Sequence, residues 1–265
     1  TGYFVDRTLD FLNRHKDQPC FVNLWPDDVH TPWVPSQERF GKYPNGTEEE
    51  IDFKAVLDEY DRQMGRLFDG LKRLGIDENT IVIFLSDNGP LPSFKGSRSG
   101  NFRGTKLSLY EGGIRLPYIV RWPGHTPEGL VDHTSVISAT DFLPSLCAFA
   151  GAELPKEIVF DGEDKSQVLL GKSSKESRTL YWEYGRNNES FRFPPKHDRS
   201  PNLAIREGNW KLLINFDGTE QELYNLEKDE KETNNLVLKN TRRATKLKTK
   251  LLIWRNSMPE LPHNE

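Results

Sequence analysis

The chain has 265 residues with 36 Lys and Arg against 40 Asp and Glu, a net charge of −4, and 35% hydrophobic residues. Its mean hydropathy is −0.70. Those values allow a full core, built as one large domain or two smaller ones. No apolar stretch approaches a membrane span, and the spread of both charge signs argues against a basic nucleic-acid surface over the whole molecule, leaving only local basic loops. The chain reads as soluble. Cys20 and Cys147 are the only cysteines, each in an apolar segment, so two buried free thiols are expected rather than a disulfide or a metal site. The sequons at Asn45-Gly46-Thr47 and Asn188-Glu189-Ser190 are short enough to occur by chance. The chain opens at Thr1 directly into helical periodicity, with no signal-type segment, and reads as cut from something longer.

In chain order, Tyr3 to His15 has the apolar spacing of an amphipathic helix (Phe4, Leu9, Phe11, Leu12). Pro19 to Trp25 predicts a strand running into the polar Pro26-Asp27-Asp28-Val29-His30-Thr31-Pro32-Trp33 segment, and residues 34–50 a loop. Residues 51–74 predict a long helix with Phe53, Val56, Leu57, Tyr60, Met64, Leu67, Phe68, Leu71 and Leu74 on one stripe, stopped by Gly75. Ile81 to Leu85 is a strand. Helix then strand, twice over, is the rhythm of a parallel α/β sheet. Strands are further predicted at Leu116 to Trp122 and Val131 to Ser138, and a helix at Thr140 to Ala150 with Gly151 as its cap. The Gly-, Lys-, Ser- and Glu-rich stretch that follows suggests a domain boundary. The expected division is an α/β part over 1–152, a linker over 153–178 and a small antiparallel subdomain over 179–265. That subdomain has strands at Thr179 to Tyr184, Leu203 to Arg206, Trp210 to Asn215 and Glu222 to Tyr224, a Gly208-Asn209 hairpin turn, and a closing helix from Thr241 to Asn256.

The chemistry gathers after Leu85. An apolar run without polar alternation is what a strand buried on both faces looks like, and parallel sheets carry ligand sites at their carboxyl ends. Ser86-Asp87-Asn88-Gly89 places a carboxylate and an amide oxygen side by side there, the ligand type that calcium or magnesium prefers. Asn-Gly is also a hairpin-turn dipeptide, so a plain chain reversal stays open, although Pro90-Leu91-Pro92-Ser93 cannot supply a returning strand.

Five ordered features resemble the type I sulfatase family of the alkaline phosphatase superfamily. They are His30-Thr31-Pro32 after a strand, SDNG at 86–89, the block from FRGTK (102–106) to YEGGIRLPYIVRWPG (110–124), TDFLPSLCAFAG at 140–151, and GNWKLL (208–213) with ELYNLEKDEKETNNL (222–236). The resemblance implies an alkaline-phosphatase-like α/β fold and the cleavage of sulfate esters, of a sulfated sugar or glycosaminoglycan above all. It makes Asp87 and Asn88 two ligands of a calcium ion, His30 a group on the sulfate and leaving oxygen, and Lys106 a second cation on the sulfate. A metal and a lysine stabilise charge on the equatorial oxygens while an acid protonates the departing alkoxide. The resemblance also implies a secreted, periplasmic or lysosomal setting.

The departure is equally specific. The family attacks sulfur with a formylglycine made within a Cys-x-Pro-x-Arg type of motif and completes its calcium site with two further aspartates. Neither Cys20 nor Cys147 lies in such a motif. The chain is therefore expected to be the C-terminal part of a sulfatase, inactive by itself. The rival readings are a non-catalytic binder of sulfated glycans and a phosphatase or phosphodiesterase of the superfamily. The latter place His after the strand-ending Asp, because imidazole suits zinc, whereas Asn88 stands here. Candidate contacts to an anionic sugar are Arg98, Arg103, His197 and Arg199, together with Lys196 and Arg192 nearby, and Trp33 as a stacking surface.

Overall fold

Two helices meet first. Helix α1 (Gly2–His15) buries Val5 and Leu12, and α2 (Glu48–Leu74) buries Ala55, Val56, Leu67 and Leu71. They approach so closely that a Cβ on Gly70 would lie 2.3 Å from a methyl of Leu9. Arg66 and Asp6 pair across them at 2.6 Å. Helix α2 starts three residues earlier than periodicity suggests because Thr47 and Glu50 form a reciprocal capping box (Glu50 N–H to Thr47 Oγ1, 3.3 Å; Thr47 N–H to Glu50 Oε2, 2.9 Å). It stops at Gly75, φ 71°, as expected.

The computed structural model describes residues 1–36, 42–43, 45–185 and 194–259. The chain divides into two compact units, Thr1–Val82 with Arg121–Thr126, and Ile83–Val120 with Pro127–Glu265. Strands β1 (Val82–Leu85) and β2 (Tyr118–Arg121) pair in a two-stranded sheet. Phe84 and Ile119 remain 38% and 59% exposed, so β1 is not covered on both faces as its apolar run suggested. Two expected strands are absent. Residues 19–25 form no strand, and Phe21 and Trp25 are 71% and 81% exposed. A strand needs a neighbour's ladder, and none among the described residues lies alongside. Residues 131–138 satisfy their backbone differently: Asp132 Oδ1 accepts from Thr134 N–H (2.7 Å) and Ser135 N–H (3.0 Å), and the Ser135 hydroxyl accepts from Ser174 N–H (2.7 Å). The cysteines are free, yet Cys20 is exposed and Cys147 half-buried, which corrects the expectation of two buried thiols.

Helix α3 is the single turn Glu111–Ile114. Helix α4 (Phe142–Ala150) follows a 3-10 turn over Ala139–Asp141 and ends at Gly151, φ 64°. The buried Asp141 carboxylate accepts from Ser138 N–H, Glu163 N–H and the Arg178 guanidinium, tying the 153–178 stretch and its short α5 (Ser166–Leu169) to α4.

The second sheet is antiparallel, in the order β3 (Thr179–Glu183), β4 (Leu203–Glu207), β5 (Trp210–Ile214), β6 (Glu222–Asn225). Gly208, φ 59°, turns β4 into β5. Pleat alternation sends Leu203, Ile205, Leu212, Ile214 and Leu223 to one face, where α6 (Thr241–Ser257) covers them with Ala244, Leu247 and Leu251. The opposite face presents Ala204, Leu213 and Tyr224 to Leu109 and Tyr110. The architecture is α/β with a C-terminal antiparallel subdomain, and the loop before α3 is packed directly on that subdomain's sheet.

Candidate functional site

Beyond Leu85 the chain turns through Ser86-Asp87-Asn88-Gly89 and is clamped. Gly89 N–H donates to Gly113 O (2.9 Å), Lys106 N–H to Pro90 O (2.7 Å) and Gly112 N–H to Arg103 O (2.7 Å). A Cβ on Gly89 would sit 2.1 Å from Gly112 O, one on Gly112 2.1 Å from Gly104 O, and one on Gly113 2.1 Å from Ser108 O. Three backbone segments therefore touch edge to edge, which only glycine permits. The strand partner of β1 is β2, more than thirty residues on, so the SDNG segment is not a hairpin turn.

Within the clamped turn, Ser86 Oγ donates to Asn88 O (2.9 Å) and Asn88 Nδ2 to Gly89 O (3.2 Å). The amide nitrogen is thus engaged, and Asn88 Oδ1 is the atom left to coordinate. Asp87 is exposed and its carboxylate makes no hydrogen bond or ion pair to a described residue. Two adjacent oxygen donors fit calcium, although its six to eight oxygens require most of the shell from elsewhere. Among the described residues, no group of three or more His, Cys, Asp or Glu gathers closely enough to hold a metal.

The loop from Phe94 to Leu107 is conformationally costly: Phe94, Lys95, Asn101 and Leu107 all have positive φ, between 53° and 70°. It forms one wall of a cleft of about 720 Å³ lined by Lys95, Asn101, Arg103, Thr105, His197 and Lys231, among others. Arg103 is held from behind. Its Nη1 donates to Tyr224 Oη (2.8 Å), Glu222 Oε2 (3.2 Å) and Glu232 O (3.2 Å), and its guanidinium lies 3.8 Å over the Tyr110 ring. The Tyr110 and Tyr224 hydroxyls donate to the Glu222 carboxylate at 2.9 and 2.7 Å. Burial, reinforced by Glu222, raises the pKa of both tyrosines well above the usual phenol value, so they act as fixed donors.

Beneath this wall lies a fully buried ionic triad. Lys211 Nζ is 2.9 Å from Glu111 Oε1 and 2.9 Å from Glu232 Oε1, and Glu232 Oε2 accepts from Glu111 N–H at 2.6 Å. Burial pushes Glu111 up but Lys211 overrides it, leaving that carboxyl below its ordinary value. Glu232 moves the other way, raised first by burial and then by Glu111 against the pull of Lys211.

The structure thus brings Arg103 and His197 together, adds Lys95 and Lys231, and seats Asp87, Asn88 and Lys106 on the same glycine-rich clamp. His197 is 80% exposed, its Nε2 3.2 Å from Asp198. Arg98 is half-buried within the 94–99 turn and does not line the cleft. Arg199 donates to Pro194 O (3.3 Å) and lines a separate depression of about 530 Å³ with Lys196 and Asn202. Arg192 lies outside the described residues. In the first unit His30 is exposed, with Nδ1 2.8 Å from Thr31 O. Trp33 corrects the sugar-stacking expectation: it is 8% exposed, its Nε1 donates to Val29 O (3.1 Å), and its ring packs 4.9 Å from Phe53. The indole is spent on the core.

An α/β layer whose strand opens into a clamped Asp-Asn-Gly turn, followed by an antiparallel sheet carrying its glycine-rich loop, defines the alkaline phosphatase superfamily's type I sulfatase architecture. A family pattern described as Sulfatase matches residues 2–152, and one described as N-sulphoglucosamine sulphohydrolase, C-terminal, matches residues 102–257. The chain belongs to the sulfatase family. It is 31% identical to a sulfatase of Formosa agariphila, over 97% of this chain and 49% of that protein. It is 30% identical to an N-acetylgalactosamine-6-O-sulfatase of Bacteroides thetaiotaomicron, over 88% of this chain and 46% of that protein. A solved structure from work on glycosaminoglycan metabolism by Bacteroides thetaiotaomicron superposes with a TM-score of 0.74 at 28% identity, covering 96% of this chain and 54% of that one. The chain spans about half the length of the curated relatives it matches. No helix among the described residues is long and apolar enough to cross a membrane.

Proposed function

We propose that this chain carries the calcium- and sulfate-contacting part of an enzyme that hydrolyses sulfate esters of sugars, glycosaminoglycan fragments foremost. The observation that carries this reading is the clamped SDNG turn, with Asp87 exposed and Asn88 Oδ1 unspent on a backbone shared with Lys106. Asp87 and Asn88 would hold a calcium ion, which when bound supplies positive charge to the sulfate oxygens. Lys106, whose backbone is fixed to Pro90, would place a second cation on the same sulfate. His30, exposed and with Nδ1 2.8 Å from Thr31 O, is kept as the candidate acid for the leaving alkoxide. The 265 residues contain no Cys-x-Pro-x-Arg motif to supply a nucleophile, so this chain alone binds sulfated sugar without turning it over.

The test combines calorimetric calcium titration with a fluorogenic aryl sulfate assay on the 265-residue chain. Calcium should bind weakly, with a Kd of about 1 mM as befits an incomplete shell, and Asp87→Ala should abolish the heat. Unchanged calcium binding in Asp87→Ala refutes the metal assignment, and measurable turnover refutes the inactivity of the isolated chain.

A further inference from the structure

Resting on the sulfated-sugar reading, we propose that the cleft beside Lys106 is a subsite for a second acidic group of the ligand, a carboxylate or a further sulfate on the same or the adjoining sugar. Three separate segments bring cations to it: Lys95 and Arg103 from the glycine-rich loop, His197 from the 196–198 turn, and Lys231 from the stretch after β6. Only two carboxylates belong to its lining. Asp198 sits 3.2 Å from His197 Nε2, and Glu232 turns its oxygens inward to Lys211 and Glu111 N–H, so neither neutralises Lys95 or Lys231; Arg103 is paired from behind by Glu222, through Nη1 alone.

The disposition of Arg103 is the most specific sign. All its hydrogen bonds to described residues leave from Nη1, and the Tyr110 ring fixes the guanidinium plane. The Nε–Nη2 edge, which grips carboxylate and sulfate with two parallel bonds, is unspent. An arginine serving only the fold would commit that edge to a protein acceptor. Two further observations agree. Lys95, Asn101 and Glu232 line the cleft with φ of 57°, 69° and 54°, so half of the six non-glycine residues recorded with positive φ meet in this one place. Thr105, also in the lining, is 1% exposed and its hydroxyl has no partner among the described residues. Arg103 stands three positions from Lys106 on the same loop, so one ligand can present a sulfate to Lys106 and its second acidic group to Arg103.

The test is an NMR titration of the 265-residue chain, with calcium and at low salt, using three probes: N-acetylgalactosamine 6-sulfate, its 4,6-disulfate, and a 6-sulfated disaccharide carrying a uronic acid. One or both doubly acidic probes should bind about tenfold tighter than the monosulfate, as one charge-assisted bidentate contact predicts. Which of the two gains identifies the second group as sulfate or carboxylate. Arg103→Gln should reduce the gain to below about threefold. Because Arg103 also supports the Glu222 network, Lys231→Gln, at an exposed position, should reduce the same gain in a chain whose spectrum is otherwise native. Equal affinity for all three probes, or a gain that survives both substitutions, overturns the subsite. Absence of any binding, the monosulfate included, overturns the sulfated-sugar reading itself.

Discussion

Replacing Lys211 by Met isolates the energetics of the buried triad. Lys211 is fully buried between two carboxylates at 2.9 Å, with Glu232 fully buried and Glu111 3% exposed. Removing the ammonium leaves two buried carboxylates without the cation they share, a loss of about 3–5 kcal/mol. At roughly 2–4 °C per kcal/mol in a chain of this size, the melting temperature should fall by about 10 °C. The pH dependence has a definite sign. With Lys211 present, Glu111 lies below its ordinary value and contributes stability that is lost as pH falls, while Glu232 lies above and its contribution is lost as pH rises. Without Lys211 both carboxyls lose their main counter-charge, Arg206 and Arg115 being left alone against the burial of Glu111, so the folded mutant takes up a proton more readily than the wild type. Its deficit against the wild type should be largest at pH 8 and should shrink towards pH 5. Urea unfolding followed by circular dichroism at both values measures this. The triple replacement Glu111→Gln, Lys211→Met, Glu232→Gln should recover most of the loss, since a neutral hydrogen-bonded set carries no desolvated charge. A Lys211→Met loss under about 1 kcal/mol at pH 8, or a deficit that grows on acidification, refutes the reasoning.

Two further outcomes are expected. Gly89→Ala places a methyl 2.1 Å from Gly112 O, where the neighbour is backbone that cannot swing aside; the change should cost about 3 kcal/mol and speed amide exchange at Lys106, and unaltered exchange there would remove the clamp. Thr47→Ala deletes the side-chain half of the α2 capping box and should cost about 1 kcal/mol in urea unfolding, whereas a loss in the range of exposed surface changes would show the cap to be idle.

Much of the fold is legible one residue at a time. The α1, α2, α4 and α6 stripes, the caps at Gly75 and Gly151, and the Gly208 hairpin all follow from local spacing and turn chemistry. What local spacing cannot supply is a partner. Residues 19–25 and 131–138 have strand composition, but the first finds no ladder among the described residues and the second spends its polar side chains on its own backbone. Trp33 looked available because it sits among polar residues; Phe53, twenty positions on, buries it. The site is legible in part for the same reason. Asp87, Asn88 and Lys106 stand in recognisable local motifs, whereas Lys95 and Thr105 share the loop of Arg103 with no motif to mark them, and Lys231 joins them only through the fold. One signal was present and unread: Lys211 interrupts the apolar strand Trp210–Ile214 on the pleat position shared with Leu213, and a charge in such a place requires a counter-charge facing it.

The sheet that shapes the glycine-rich loop is encoded far downstream of it. Leu109 N–H is accepted by Ser200 Oγ, 91 positions later; Arg103 reaches Glu222 across 119 positions, and Glu111 meets Glu232 across 121. During synthesis at 5–20 residues per second, this loop leaves the ribosome roughly 6–24 s before its last support exists. Over that interval Leu109 and Tyr110 have no sheet to cover them, so nascent chains stalled short of residue 200 should be cut readily near the loop, and chains extended past residue 240 should resist the same protease.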